Sequence, residues 1–72
     1  MMSQRVLTWS GSNYSELARV AAEKERAHDW VEAITQWEQA AYMAKFPENR
    51  AWATARAEAC RHRCAQTRRG LT

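Results

Sequence analysis

The stretch Ala27-His28-Asp29-Trp30-Val31-Glu32-Ala33-Ile34-Thr35-Gln36-Trp37-Glu38-Gln39-Ala40-Ala41 reads as the join of a helical hairpin followed by most of its second helix. Asp29 sits where an N-cap acceptor is needed, and Glu32 three residues on completes a capping box. Beyond the cap, Trp30, Ala33, Ile34, Trp37, Ala40, Ala41 and Ala44 recur at the period of one helical face. Small alanines interleaved with two large indoles build helix-on-helix packing rather than a reaction centre. The alanines at 33, 40, 41 and 44 read as spacers that let a second backbone approach closely.

Upstream, Tyr14, Leu17, Ala18, Ala21 and Ala22 make an apolar stripe, with Arg19, Glu23 and Arg26 on the opposite side. Asn13 as N-cap and Glu16 as its reciprocal partner predict a first helix over about 13–27. So short a break before Asp29 forces the two helices antiparallel. Downstream, Pro47 biases Phe46 to extended backbone and ends the second helix near 45. A third helix follows over about 50–66, capped by Asn49 or opened by Pro47 as its first residue. Its apolar stripe is Trp52, Ala53, Ala57, Cys60 and Cys64, widened by Ala55 and Ala59. Arg68-Arg69-Gly70 reads as a C-terminus with a glycine exit. Residues 1–12 lack any helical period and read as a flexible or extended arm carrying Trp9. The expected object is all-α: a three-helix domain over 13–67 with an antiparallel hairpin and a basic tail over 68–72.

Composition agrees. Fourteen alanines favour helix, while three valines and one isoleucine are too few for a sheet. Bulky core residues are scarce, so the tryptophans must supply much of the burial, at roughly 1.5–3 kcal/mol for each buried aromatic. A chain of 72 residues is marginal as a lone domain, and a dimer would cover surplus alanine and tryptophan surface. The formal charge of +3 is unevenly placed. Residues 13–48 carry seven acids against four bases, whereas five arginines and one glutamate lie from Arg56 onward. No apolar run approaches the roughly 18 residues of a spanning helix, and no signal-peptide pattern follows the start. A cytoplasmic location is expected.

The chemistry-bearing residues do not form a catalytic set. Cys60 and Cys64 stand about 6 Å apart along a helix with parallel side chains, which is poor disulfide geometry. They lack the further ligands that a zinc site needs. They read as buried free thiols. His28 and His62 are isolated, and Glu23, Glu25 and Glu32 read as solvated carboxylates. There is no phosphate-binding glycine loop. Neither an enzyme nor a metal or other cofactor is expected. Trp30, Trp37 and Trp52 read first as core residues, with an exposed indole as the alternative, because tryptophan concentrates at interface hot spots. The arginines from Arg56 onward admit three readings. They are a basic rim for a protein partner, in which Arg56, Arg61 and Arg63 take part; a nucleic-acid surface formed by Arg61, Arg68 and Arg69; or a solvated basic terminus.

Two resemblances rest on these residues. His28-Asp29-Trp30-Val31-Glu32-Ala33-Ile34, with Trp37, Ala40 and Ala41, resembles the turn and second helix of one tetratricopeptide repeat. His28 replaces that repeat's usual glycine, and Pro47 falls about two residues late. From Tyr14 to Cys60 the chain resembles the AraC-negative-regulator (ANR) family of small bacterial and phage transcriptional regulators. Tyr14, Ala18, Ala21-Ala22, Glu25-Arg26, Trp30, Glu32-Ala33, Trp37, Ala40, Ala44, Asn49, Trp52, Arg56 and Cys60 carry the likeness. The order and spacing of Trp37, Ala40, Asn49, Trp52, Arg56 and Cys60 are its more specific part. The PerC-like activators share part of the alanine–tryptophan pattern. The ANR resemblance implies a modulator that damps transcription by binding an AraC-type activator at its dimerisation or linker region. Trp37, Asn49, Trp52 and Arg56 are then the positions most tied to the family, as fold or as contact. The expected partner-binding set is Trp9, Trp37, Asn49, Trp52, Arg56, Arg61 and Arg63. A small DNA-binding regulator, or a phage or plasmid protein that neutralises another host factor, are the alternatives.

Overall fold

The computed structural model describes residues 12–71, with side chains described from Asn13 to Arg68. Three helices follow one another, α1 (Ser12–Arg26), α2 (Trp30–Met43) and α3 (Pro47–Leu71), with no strand among the described residues. The expected three-helix, all-α architecture is what the chain forms. α2 lies in the middle and packs against both neighbours, whereas α1 and α3 scarcely meet. Trp9 and the rest of the expected arm before Ser12 lie outside the described residues, as does the Arg69 side chain.

The boundary between α1 and α2 follows from backbone hydrogen bonding. The His28 N–H donates to the Glu25 carbonyl at 2.9 Å, and the Asp29 N–H donates to the Lys24 carbonyl at 2.9 Å. These two bonds make a Schellman closure, which needs a left-handed residue at the position after the cap. His28 supplies it with φ 61°. A glycine would adopt this conformation without cost, so His28 holds the turn against a steric preference. Asp29 then caps α2, its side chain accepting from the Glu32 N–H at 3.4 Å. One residue therefore ends the first closure and begins the next helix, which sets the two helices antiparallel.

The other boundaries differ from expectation by small steps with clear causes. α1 opens at Ser12, so Asn13 lies inside its first turn and is not the cap. α2 stops at Met43, where Ala44 turns extended (φ −68°, ψ 131°). Of the two starts expected for α3, the one at Pro47 is observed, and Asn49 lies inside the first turn. Proline suits a first helical position because the N–H it lacks would be unpaired there. The Phe46 carbonyl accepts the first helical bond, from the Arg50 N–H at 3.0 Å, and the Arg50 guanidinium donates back to the Ala44 carbonyl at 3.2 Å. The glycine exit at Gly70 does not form; the helix runs on to Leu71.

The core is made mainly of alanine. Ala21, Ala33, Ala40, Ala53, Ala57 and Cys60 are buried around Trp37, which is 4% exposed. Tyr14, Leu17, Ala18, Ala22, Trp30, Ile34 and Ala41 flank this centre. Alanine faces allow helix axes to approach at the short end of the roughly 8–10 Å range. The spacer role expected of Ala33, Ala40 and Ala44 is observed, with Ala41 half-buried beside them. The molecule measures 48 × 26 × 12 Å with a radius of gyration of 13.6 Å. A compact chain of this size would have about 11 Å. The excess reflects α3, whose 25 residues outrun the 14 of α2 by about 16 Å.

Candidate functional site

The half-buried carboxylate of Glu25, near the end of α1, gathers side chains from both other helices. Its Oε2 accepts from the Trp37 indole Nε1–H on α2 at 2.8 Å. The Arg56 guanidinium on α3 grips it as a fork, with Nε to Oε2 at 3.1 Å and Nη2 to Oε1 at 2.7 Å. The Cys60 thiol donates to the same Oε2 at 3.2 Å. Because α1 and α3 scarcely touch otherwise, this carboxylate is the latch between them. Counting Glu25 with the solvated carboxylates is thereby corrected. The signal was present, since Leu17, Ala21 and Glu25 repeat every fourth residue and so share the inner side of α1.

The electrostatics of the latch follow from its partners. Burial alone pushes the Glu25 carboxyl up, but hydrogen bonds from Arg56, Cys60 and Trp37, with the Arg56 charge, outweigh it and hold the group below the usual carboxylate range. The bond to Glu25 raises Arg56 in turn, against desolvation. Burial, then the Glu25 contact, pushes the Cys60 thiol up to about 12. Cys60 is thus a hydrogen-bond donor held neutral, the opposite of an activated nucleophile. Both cysteines are free thiols; Cys60 is buried as expected, whereas Cys64 is only half-buried.

The second feature is a surface stripe. Asn49, Trp52, Arg56, Ala59 and Arg63 recur every three to four residues and fall on one side of α3. Asn49 is half-buried. Trp52 is 57% exposed, with the Arg56 guanidinium 5.7 Å from its ring centre. Expecting Trp52 in a helix seam is corrected: Ala53 and Ala57 occupy the seam, and the indole is turned outward. Further along, the Arg63 guanidinium lies 4.9 Å from the ring centre of Trp30, and His28 stacks on Trp30 at 5.2 Å. A groove of about 360 Å³ opens here, lined by Glu25, Trp30, Arg56, Ala59, Cys60, His62 and Arg63.

The other expected contacts separate from this stripe. Trp37 is a core residue whose N–H is held by Glu25, so it offers nothing to a partner directly. Arg61 lies on the far side of α3, paired with Glu38 of α2 and with Glu58 at 3.2 Å. Arg68 is exposed on the overhanging end of α3. A second depression, of about 460 Å³, lies on α2 among Thr35, Glu38, Gln39, Tyr42 and Met43.

Among the described residues no three His, Cys, Asp or Glu side chains gather as a metal-binding group. None of the described helices is long and apolar enough to cross a membrane. In comparison with known proteins, no family model, no curated protein and no solved structure matches this chain.

Proposed function

We propose that this chain is a non-enzymatic protein-binding module that modulates transcription by covering the dimerisation region of an AraC-type activator. The observation that carries the binding role is the inversion of the usual distribution of bulk. Alanines fill the core, while Trp52 stands 57% exposed on the same side of α3 as Asn49, Arg56 and Arg63. Such an indole beside a guanidinium is the composition of an interface anchor. The activator as partner comes from the ANR resemblance alone. Cytoplasmic residence follows from that partner. Self-association as a dimer belongs to the same proposal, supported by the exposed Val31, Tyr42 and Met43 on α2.

Nucleic acid is the less favoured target, because Arg61 is already paired with Glu38 and Glu58. The test is capture of an AraC-type activator's regulatory domain by the purified chain after nuclease treatment. Stable retention that Trp52→Ala abolishes is expected. Retention of nucleic acid alone, with affinity falling steeply as salt rises, would overturn the proposal.

A further inference from the structure

The geometry points to the groove between Trp30 and α3 as a seat for a carboxylate side chain on an acidic segment of the protein partner, gripped by Arg63. This deepens the protein-binding reading and rests on it. Glu25 is the one acid lining the groove, and it is taken up by Arg56, Trp37 and Cys60. With Glu25 balanced by Arg56, the exposed Arg63 leaves the groove net positive, and among the described residues it forms no salt bridge. Its guanidinium is instead placed over the Trp30 ring at 4.9 Å. A guanidinium held over an aromatic face without a carboxylate partner still has N–H donors to offer, and their fork matches a carboxylate bidentately. The exposed His62 on the same wall supplies a further ring nitrogen.

Position adds a second constraint. Arg63 stands eleven residues beyond Trp52 on one side of α3, a separation of about 16 Å along the axis. A partner segment that places an apolar side chain on Trp52 and a carboxylate on Arg63 must hold the two groups that far apart. The facing side of an amphipathic helix does so over three turns.

A blocked, alanine-based helical peptide with one leucine and one glutamate at this spacing is the probe, with a glutamine-for-glutamate peptide as control. Titration into the ¹⁵N-labelled full chain is followed at the Trp30 indole N–H and the Arg63 Nε–H. The inference predicts shifts at both groups and at least fivefold weaker binding for the control peptide. It predicts the same loss for Arg63→Gln, whose helical content should match wild type, and no loss for Arg68→Gln. Equal losses for Arg63→Gln and Arg68→Gln would mean diffuse charge attraction and overturn it. A glutamine peptide that binds as well as the glutamate peptide would also overturn it. So would a single-stranded oligonucleotide that moves the Trp30 and Arg63 signals when the peptide does not. If the peptide shifts only the Trp52 region, the groove assignment fails while the protein-binding reading stands. If the chain also retains no activator, both fail.

Discussion

Glu25 is the residue on which the account most depends. Replacing it with glutamine leaves Arg56 without its counter-charge and offers one weaker acceptor to the donors of Trp37, Arg56 and Cys60. Losing one partner of a fully buried pair costs roughly 3–5 kcal/mol. Arg56 remains 35% exposed, so screening reduces the expected loss for Glu25→Gln to about 1–3 kcal/mol. Urea denaturation reads this directly. The pH dependence has a definite sign. The Glu25 carboxyl sits below its ordinary 4.5 when folded, so its stabilisation is fully present above that value. It disappears as pH falls through the lower folded value, and Glu25→Gln should flatten this acid limb. Cys60 acts at the alkaline end. The unfolded thiol ionises near 9 while the folded one stays neutral toward about 12, so stability declines as pH rises across that window. A thiol reagent at neutral pH should therefore label the half-buried Cys64 first and reach Cys60 only on unfolding; equal rates would contradict the buried, donor role.

Among the elements, the turn at His28 and the long third helix make separate demands. Valine tolerates the left-handed region less well than histidine and also loses the stack on Trp30, so His28→Val should lower stability by about 1–2 kcal/mol. His28→Gly should stay within about 0.5 kcal/mol of wild type, because backbone relief offsets the lost stack on Trp30. Equal effects of the two substitutions would show that the turn is not held by φ. In α3, Ala53, Ala57 and Cys60 are buried, whereas Ala65, Gln66, Thr67 and Arg68 are exposed. Ending the chain at Gln66 should therefore cost less than about 0.5 kcal/mol. Amides near Arg68 should exchange faster than those from Ala53 to Cys60.

The legible part of these elements was the part carried by local chemistry. Asp29 with Glu32 announced a cap, Pro47 announced a boundary, and alanine periodicity announced the seams. Trp52 could not be placed that way, because its neighbour Ala53 fits the same stripe and only packing against α2 decides which points inward. Glu25 escaped because a charge on an apolar stripe reads as a lapse in the pattern until its partners on α2 and α3 are known. The Arg56 that completes the latch is 31 residues away in sequence. Arg61 and Arg63 looked alike in the sequence, yet one is paired across to Glu38 and the other lies over Trp30.

Taken whole, the molecule is a flattened set of three helices held by an alanine core and one polar latch, with much of its aromatic surface outside. Of the positions that carry the ANR resemblance, Glu25, Trp37, Arg56 and Cys60 meet in the latch, which accounts for them as fold. Trp52 is not accounted for in that way, and it stands beside the charged groove. On the proposed reading Trp52 is then a contact residue, the buried latch residues serve the fold, and Arg56 serves both. Exposed Val31, Tyr42 and Met43 lead us to expect a dimer in solution, and sedimentation equilibrium that gives the mass of one chain at high concentration would remove that part of the proposal. The most direct test of the division is the affinity of Trp52→Ala for an AraC-type activator's regulatory domain, measured by calorimetry on protein whose denaturation midpoint has been checked. The account predicts an unchanged midpoint and binding weakened by at least tenfold, the loss of about 1.4 kcal/mol or more expected of an interface anchor. Full affinity retained by Trp52→Ala would contradict it, as would a collapse in stability that placed the indole in the core after all.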